Sequence, residues 1–271
     1  MKALCFVVGA KTACFRKPDV NQYAYFTYNN IHKPALLGLL GAIVGYRGYT
    51  QLHDQKEHLK ARIKMLKGKE KKVLQQKLDE LDAQLPEFYD KLQHLKFAIT
   101  PMAPFGYFSK KIHVFNNSVG YASKEEGGNL IVREQWLENP KWQIMMLNDE
   151  SLAYEKIKTY LTQQKAVFIP YLGKNDHPAK IENVHEMMLD DSLHAVDGEY
   201  YIDSLFIEPE KGFGYHREND TQPFLFREVS PVRLQKKYHF YEYETLVFTN
   251  YEPKEIPKDT YCYEQKNYTF I

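Results

Sequence analysis

Apolar residues change their spacing along the chain, and the changes divide it into elements. Residues 2–9, Lys-Ala-Leu-Cys-Phe-Val-Val-Gly, form a short apolar run ending at a glycine, the pattern of a buried strand. Residues 10–32 hold Pro18, Asn21, Asn29 and Asn30 and show no period, so they read as loop. Apolar residues then dominate from Lys33 onward. Pro34 suits a first helical position, where its missing N–H costs nothing, and Gly48 is placed to supply a left-handed cap. These signals predict a buried helix over 34–47.

Residues 51–96 differ in kind. Leu74, Leu78, Leu81, Leu85, Phe88, Leu92 and Leu95 recur at alternating spacings of four and three, and Leu59, Ile63 and Leu66 repeat the pattern upstream of Gly68. This predicts amphipathic helix folded as a hairpin near Gly68, with Pro86 starting a new helical piece. Beyond Lys96 the pattern becomes β: Phe97–Thr100, Ile112–Asn116, Asn129–Trp136 and Trp142–Leu147 read as strands. Glu125-Glu-Gly-Gly-Asn is a turn signal, so 110–136 is expected to be a long β-hairpin. Leu152–Gln164 reads as a helix with Asn148, Asp149 or Ser151 as cap, and Ala166–Tyr171 as an apolar strand. Tyr200–Ile207, Pro223–Arg227 and Tyr238–Thr249 are strand-like.

The order strand, helix, inserted helices, strands, helix, strand suits an α+β fold of the ferredoxin-like (RRM-like) type. The expected division is a domain over 1–190, with a helical insertion at 55–84, and a β-rich carboxyl-terminal extension over 191–271. No repeat of fixed period is visible.

Composition narrows the class. The chain has 271 residues, 44% hydrophobic and 26% charged, as ordinary globular proteins do. It has no apolar run long enough for a membrane span, and its first apolar run is too short for a signal peptide, so a cytoplasmic protein is expected. Three cysteines without Cys-x-x-Cys spacing argue against a disulfide framework and a structural zinc site. The net charge of +1 hides an asymmetry. Residues 1–49 carry six Lys/Arg against Asp19, residues 56–77 carry nine against Glu57 and Glu70, and residues 197–271 carry nine against fourteen acids. A basic amino-terminal half can face an anionic partner. The 21 Tyr and 16 Phe suit a β-rich core or bases stacked on exposed rings.

Several motifs dissolve on inspection. Gly38-x-x-Gly41-x-x-x-Gly45 is not a nucleotide loop; it reads as a helix face packed closely on the sheet. The amino terminus of that helix, at 34–37, offers free N–H groups after Pro34, with Arg16, Lys17 and Lys33 on the approach, and is the expected phosphate seat. Lys211-Gly-Phe-Gly-Tyr matches the first five positions of the RNP1 motif, but His216-Arg-Glu-Asn-Asp follows where Val and an aromatic are needed, so a turn is expected. The ten histidines form no metal-ligating cluster, and no nucleophile elbow or Walker loop occurs.

Three segments resemble the fifth CRISPR-associated (Cas) family, most closely its type I-B branch. They are Gly9-Ala-Lys-Thr-Ala-Cys-Phe-Arg-Lys-Pro-Asp-Val-Asn with Thr27-Tyr-Asn-Asn-Ile-His-Lys-Pro-Ala-Leu-Leu-Gly-Leu-Leu-Gly-Ala-Ile-Val-Gly; Val132-Arg-Glu-Gln-Trp-Leu-Glu-Asn-Pro-Lys-Trp-Gln-Ile; and Phe168-Ile-Pro-Tyr-Leu-Gly-Lys-Asn-Asp-His-Pro-Ala-Lys-Ile. The resemblance implies a ferredoxin-like domain of the RAMP kind with a β-hairpin thumb at 110–136. It implies a non-catalytic, RNA-binding subunit of a Cascade complex in antiviral defence. Such a subunit caps the 5′ handle of the guide RNA (crRNA) and packs on the backbone and large subunits. It meets target DNA only indirectly, and needs no membrane, metal or cofactor.

The handle-gripping loop maps onto Phe15, Arg16, Lys17, Asn21, Thr27 and Tyr28, with Lys33 at the helix start and Lys174 in a turn on the same surface; Lys11 and Arg47 join them as nearby cations. A single-stranded handle offers phosphates to Arg and Lys and splayed bases to aromatic faces. The alternative is a metal-independent endoribonuclease that processes precursor guide RNA, with Tyr46, Lys111 and His113 as acid–base set.

Overall fold

The computed structural model describes residues 1–19, 23–82, 84–116, 120, 124–126, 128–217 and 222–271. Strand β1 (Lys2–Gly9) is the centre of the main sheet, and every residue from Ala3 to Gly9 is buried. It pairs antiparallel with β6 (Lys141–Leu147) on one side and β7 (Lys180–Met188) on the other. With β3 (Phe97–Pro101) at the far edge, the order is β3-β6-β1-β7. Both faces of β1 are covered, which explains its unbroken apolar sequence. Leu4, Phe6 and Val8 face a core shared with Leu36, Leu40 and Ile43 of helix α1 (Lys33–Val44) and Ile157 of helix α5 (Leu152–Thr162). Ala3 and Cys5 join Ala98 and Met145 under Tyr268 and Phe270, brought from the far carboxyl-terminal segment.

Helix α1 is shorter than the sequence predicts. Gly45, at φ 79°, takes the left-handed cap, and Gly48 instead precedes the next helix, donating its N–H to Gln51 Oε1 at 2.9 Å. The glycine face packs on helix α4 (Glu87–Leu92), not on the sheet: a Cβ on Gly41 would lie 2.5 Å from Phe88 Cβ. Helices α2 (Tyr49–Met65) and α3 (Gly68–Asp82) form the expected hairpin. It stands largely in solvent, with Leu52, Ile63 and Leu78 its buried residues. Pro86 opens α4 as expected, and Ser151 Oγ accepts the Tyr154 N–H at 3.1 Å to cap α5.

The expected β-hairpin is present as β4 (Lys110–Asn116) and β5 (Ile131–Glu138), with the short β2 (Thr12–Ala13) on the other edge of β5. The strand expected at 166–171 is absent. That segment is an exposed irregular crossing whose N–H groups at Val167 and Phe168 donate to Ile43 and Ala42 carbonyls of α1, at 2.9 and 3.2 Å. The open carbonyl end of a helix needs donors, and the apolar run supplies them. The sheet position belongs to β7, which has one partner strand and a largely solvated surface, so its sequence carries little apolar signal.

The carboxyl-terminal region consists of small antiparallel pairs. These are β8 (Ala195–Val196) with β9 (Glu199–Tyr200), β10 (Phe206–Ile207) with β13 (Tyr241–Thr249) and β12 (Leu225–Leu234), β11 (Phe213–His216) with β14 (Tyr251–Pro253), and β15 (Thr260–Tyr263) with β16 (Lys266–Thr269). The RNP1-like string is therefore a turn running into β11, as expected. The region is tied to the amino-terminal loop through Glu228, whose carboxylate accepts the N–H groups of Asn29 at 2.8 Å and Asn30 at 3.3 Å. No helix among the described residues is long and apolar enough to cross a membrane.

Candidate nucleic-acid interface

The segment predicted as loop between β1 and α1 is held by backbone bonds. Arg16 bridges Thr27, Lys17 N–H donates to Phe26 O at 2.8 Å, and Tyr25 exchanges bonds with β5 at Arg133 and Gln135. Buried side chains complete it. Thr27 Oγ accepts the Phe15 N–H at 2.9 Å, Asn29 brackets residues 106–108, and Asn30 Oδ1 accepts Trp142 Nε1 at 2.9 Å. Phe15, Thr27 and Tyr28 were expected on the binding face, but they are at most 3% exposed. They shape the loop from inside and present no open ring or hydroxyl.

Next to this loop lies a groove of about 1580 Å³. Its walls come from parts of the chain far apart in sequence: Arg16 and Tyr25 of the loop, Phe115 and Val132 of the β4–β5 hairpin, Phe168 and Tyr171 of the crossing, and Tyr46 of α1's end. Tyr238, Phe240, Tyr241 and Tyr243 close it from the carboxyl-terminal region. Arg16 stacks its guanidinium on Tyr25, 3.3 Å from the ring centre. Glu134 accepts from Lys174 Nζ at 2.7 Å and from Trp136 Nε1 at 3.1 Å. Burial pushes the Glu134 carboxyl up, but these bonds and the charges of Lys174 and Arg16 outweigh it and hold it below the usual range. Lys174 also lies 3.7 Å from Asp176, which leaves the Arg16 guanidinium as the exposed cation at this rim. Burial, with the nearby Glu134 charge, raises the Cys14 thiol to about 11, which favours the protonated thiol.

The turn carrying Lys174 is pressed onto the loop. Cys14 N–H donates to Leu172 O at 3.2 Å, and a Cβ on Gly173 (φ 86°) would lie 1.9 Å from the Cys14 carbonyl oxygen. Glycine is required there twice over, for its backbone angle and for the close approach.

The expected site residues do not all converge. Arg16 and Lys174 line the groove. Lys17, next to Arg16 on extended backbone, turns to the other side, 4.0 Å from Glu228 and 5.1 Å from the Tyr28 ring centre. Lys33 Nζ donates to the Ile271 carbonyl at 3.2 Å in a separate pocket with Arg233, and burial, with the charges of Lys96 and Arg233, lowers it to about 8. Arg47 borders a third depression, Lys11 is exposed, and Asn21 lies outside the described residues.

The helix amino terminus expected to seat phosphate is filled by its own chain. Pro34 is buried, and His32 Nδ1 accepts the Ala35 N–H at 3.2 Å. Burial lowers His32 to about 3, so its ring is neutral.

Tyr46, Lys111 and His113 also have separate partners. Lys111 pairs with Glu138 at 2.7 Å, and His113 stacks on Trp136 at 4.0 Å. Tyr46 faces Lys91 and Lys156. Among the described residues no group of three His, Cys, Asp or Glu is placed to hold a metal ion.

The groove-lining residues that sequence reasoning missed are Tyr25, Glu134, Phe168, Tyr171 and the run Tyr238–Tyr243. The high tyrosine count was the available signal.

Fold and groove together define an α+β protein with an aromatic, cation-edged channel. The family profile described as "CRISPR-associated protein (Cas_Cas5)" matches residues 3–240, and the chain belongs to that family. No curated protein matches it. Among solved structures it is similar to one described as "CRISPR RNA-guided surveillance complex", at 12% identity and TM-score 0.46, covering 93% of this chain and 91% of that one. It is also similar to "a CRISPR protein from Archaeoglobus fulgidus", at 9% identity and TM-score 0.42, covering 99% and 98%. A third, described as "Cas protein", stands at 10% identity and TM-score 0.39, covering 93% and 95%.

Proposed function

We propose that the chain is a non-catalytic, RNA-binding subunit of a Cascade complex of type I-B, which grips the single-stranded 5′ handle of the guide RNA in the aromatic groove. The observation that carries this reading is the groove rim, where Arg16 lies flat on Tyr25 beside Lys174, opposite exposed Tyr171 and Phe168. A strand threaded there meets cations for its phosphates and ring faces for its bases. The β-α-β-β-α-β order with sheet order β3-β6-β1-β7 is read as ferredoxin-like, and the β4–β5 hairpin as its thumb. The backbone and large subunits are the expected protein partners, the cytoplasm the expected compartment, and antiviral defence the expected role.

The test is guide occupancy and handle-RNA affinity of complexes carrying Arg16→Ala or Tyr171→Ala, both at exposed positions. Each is expected to weaken handle binding. Unchanged affinity in both would sink the assignment. Incubation with precursor RNA in EDTA is expected to leave it intact. A discrete cut abolished by His113→Ala would establish the endoribonuclease instead.

A further inference from the structure

The two halves of the α2–α3 hairpin treat charge differently. Near its base, opposite signs pair: Lys56 with Asp82 at 3.0 Å and Lys60 with Glu57 at 2.8 Å. Gln75 donates to Asp79 at 3.0 Å and Gln76 to Glu80 at 3.5 Å. A solvated helix surface is ordinarily built this way. At the tip the pairing stops. Arg62, Lys64, Lys67, Lys69, Lys71 and Lys72 are all exposed, and Glu70 is the lone acid between 62 and 72. None of the six has an ion pair among the described residues.

Arg62 and Lys64 suit the negative end of the α2 dipole, but on α3 the clustering works against the helix that carries it. Lys69, Lys71 and Lys72 lie in the first five residues of α3, at the positive end of the helix dipole. Lys69 and Lys72 are three apart, so like charges are neighbours on that helix surface. Local choices that oppose the local fold mark a functional surface.

Composition selects the anion. Residues 50–87 contain no Phe, Tyr or Trp, so the hairpin offers no platform for unstacked bases. Residues 60–73 contain no Ser, Thr, Asn or Gln, so adenine edges and ribose hydroxyls find no amide or hydroxyl partner there. What remains is five lysines, point charges on flexible stems, with Arg62, a set suited to contacting the phosphates of a regular duplex. Helix α2, of 17 residues, is about 25 Å long and carries these charges away from the sheet.

We propose that the tip of the α2–α3 hairpin docks on the phosphate backbone of double-stranded DNA, independently of sequence and of the aromatic groove. The test compares wild type, Lys67→Gln/Lys69→Gln/Lys71→Gln/Lys72→Gln, and Arg16→Ala as full chains. A labelled duplex DNA of about 30 base pairs, the matching duplex RNA, and a single-stranded handle RNA are titrated across salt concentrations. Losing four phosphate contacts should make the log–log salt slope for duplex DNA shallower by roughly 3 to 4. Handle-RNA binding should not change in the quadruple variant, and Arg16→Ala should bind duplex DNA like wild type. An unchanged slope and affinity for duplex DNA overturns the proposal and points to an acidic protein partner. An equal loss for single-stranded RNA, or tighter wild-type binding to duplex RNA than to duplex DNA, also overturns it. Failure of the handle-RNA reading would leave the duplex result standing, because the two rest on different residues.

Discussion

The aromatic groove and the α2–α3 hairpin tip both present cations, but the fold supports them differently. In the groove, Arg16 lies on a ring and stands on a loop whose hydroxyl and amide side chains are buried, and Lys174, on the turn pressed against that loop, is bonded to a buried carboxylate. At the tip, six cations stand in solvent on a hairpin with few buried residues. Cations held in place can select shape and single-strandedness, whereas free ones contribute attraction alone. Disturbing the support should therefore damage the groove, and removing the charge should be the way to disable the tip.

The largest effect is expected from Gly173→Ala. Its methyl group meets the Cys14 carbonyl, and its backbone angle strains any other residue, so a loss on the order of 3 to 4 kcal/mol is predicted. Urea unfolding measures it, and handle binding should fall with it. A midpoint like that of wild type would show that turn and loop part readily.

Next comes pH. The His32 ring is neutral in the fold, lowered to about 3 by burial, while the unfolded chain takes up that proton near 6.5. Below 6.5 the unfolded state binds more protons, so stability is complete above that pH and drains away as pH falls toward 3. By pH 5 the loss from His32 is about 2 kcal/mol. Burial also lowers His177, which adds in the same direction. His32→Asn keeps a capping acceptor and is expected to flatten the slope of stability against pH. An equally steep slope in that variant would assign the pH response elsewhere.

Tyr171→Ala should weaken handle RNA by roughly 1 to 3 kcal/mol if a base stacks on the ring, with a smaller effect on the urea midpoint than Gly173→Ala, because Tyr171 is 46% exposed. The smallest effect is expected at the hairpin. The quadruple lysine-to-glutamine variant should change stability by no more than about 0.5 kcal/mol, in the stabilising direction, since it relieves repulsion. A clear destabilisation would mean that these lysines have partners within the fold.

How legible each part was follows from how local its cause is. The β1 strand, the hairpin near Gly68, the Pro86 start and the β4–β5 hairpin all arise from neighbouring residues and were readable, and the α5 cap was narrowed to three candidates, of which the fold uses Ser151. The Ala166–Tyr171 strand misled because an apolar run does not state what it covers; here it supplies donors to the end of α1. The β7 strand was missed because a solvated surface leaves no apolar alternation. Gly48 yielded the cap of α1 to Gly45, a choice decided by where Val167 crosses the helix end.

The site divided in the same way. Sequence alone determined that the chain is α+β, that its charges are unevenly placed, and that segments 9–21 and 27–45 resemble a family signature. Tertiary structure alone decided which of those residues meet. It turned Arg16 outward and Lys17 toward Glu228, buried Thr27 and Tyr28, and brought Tyr171 and Tyr238–Tyr243 to the same groove. The physical reason is that helix and strand periods are set by residues a few positions apart. A groove is set by packing between segments separated by a hundred or more, and no local pattern records that.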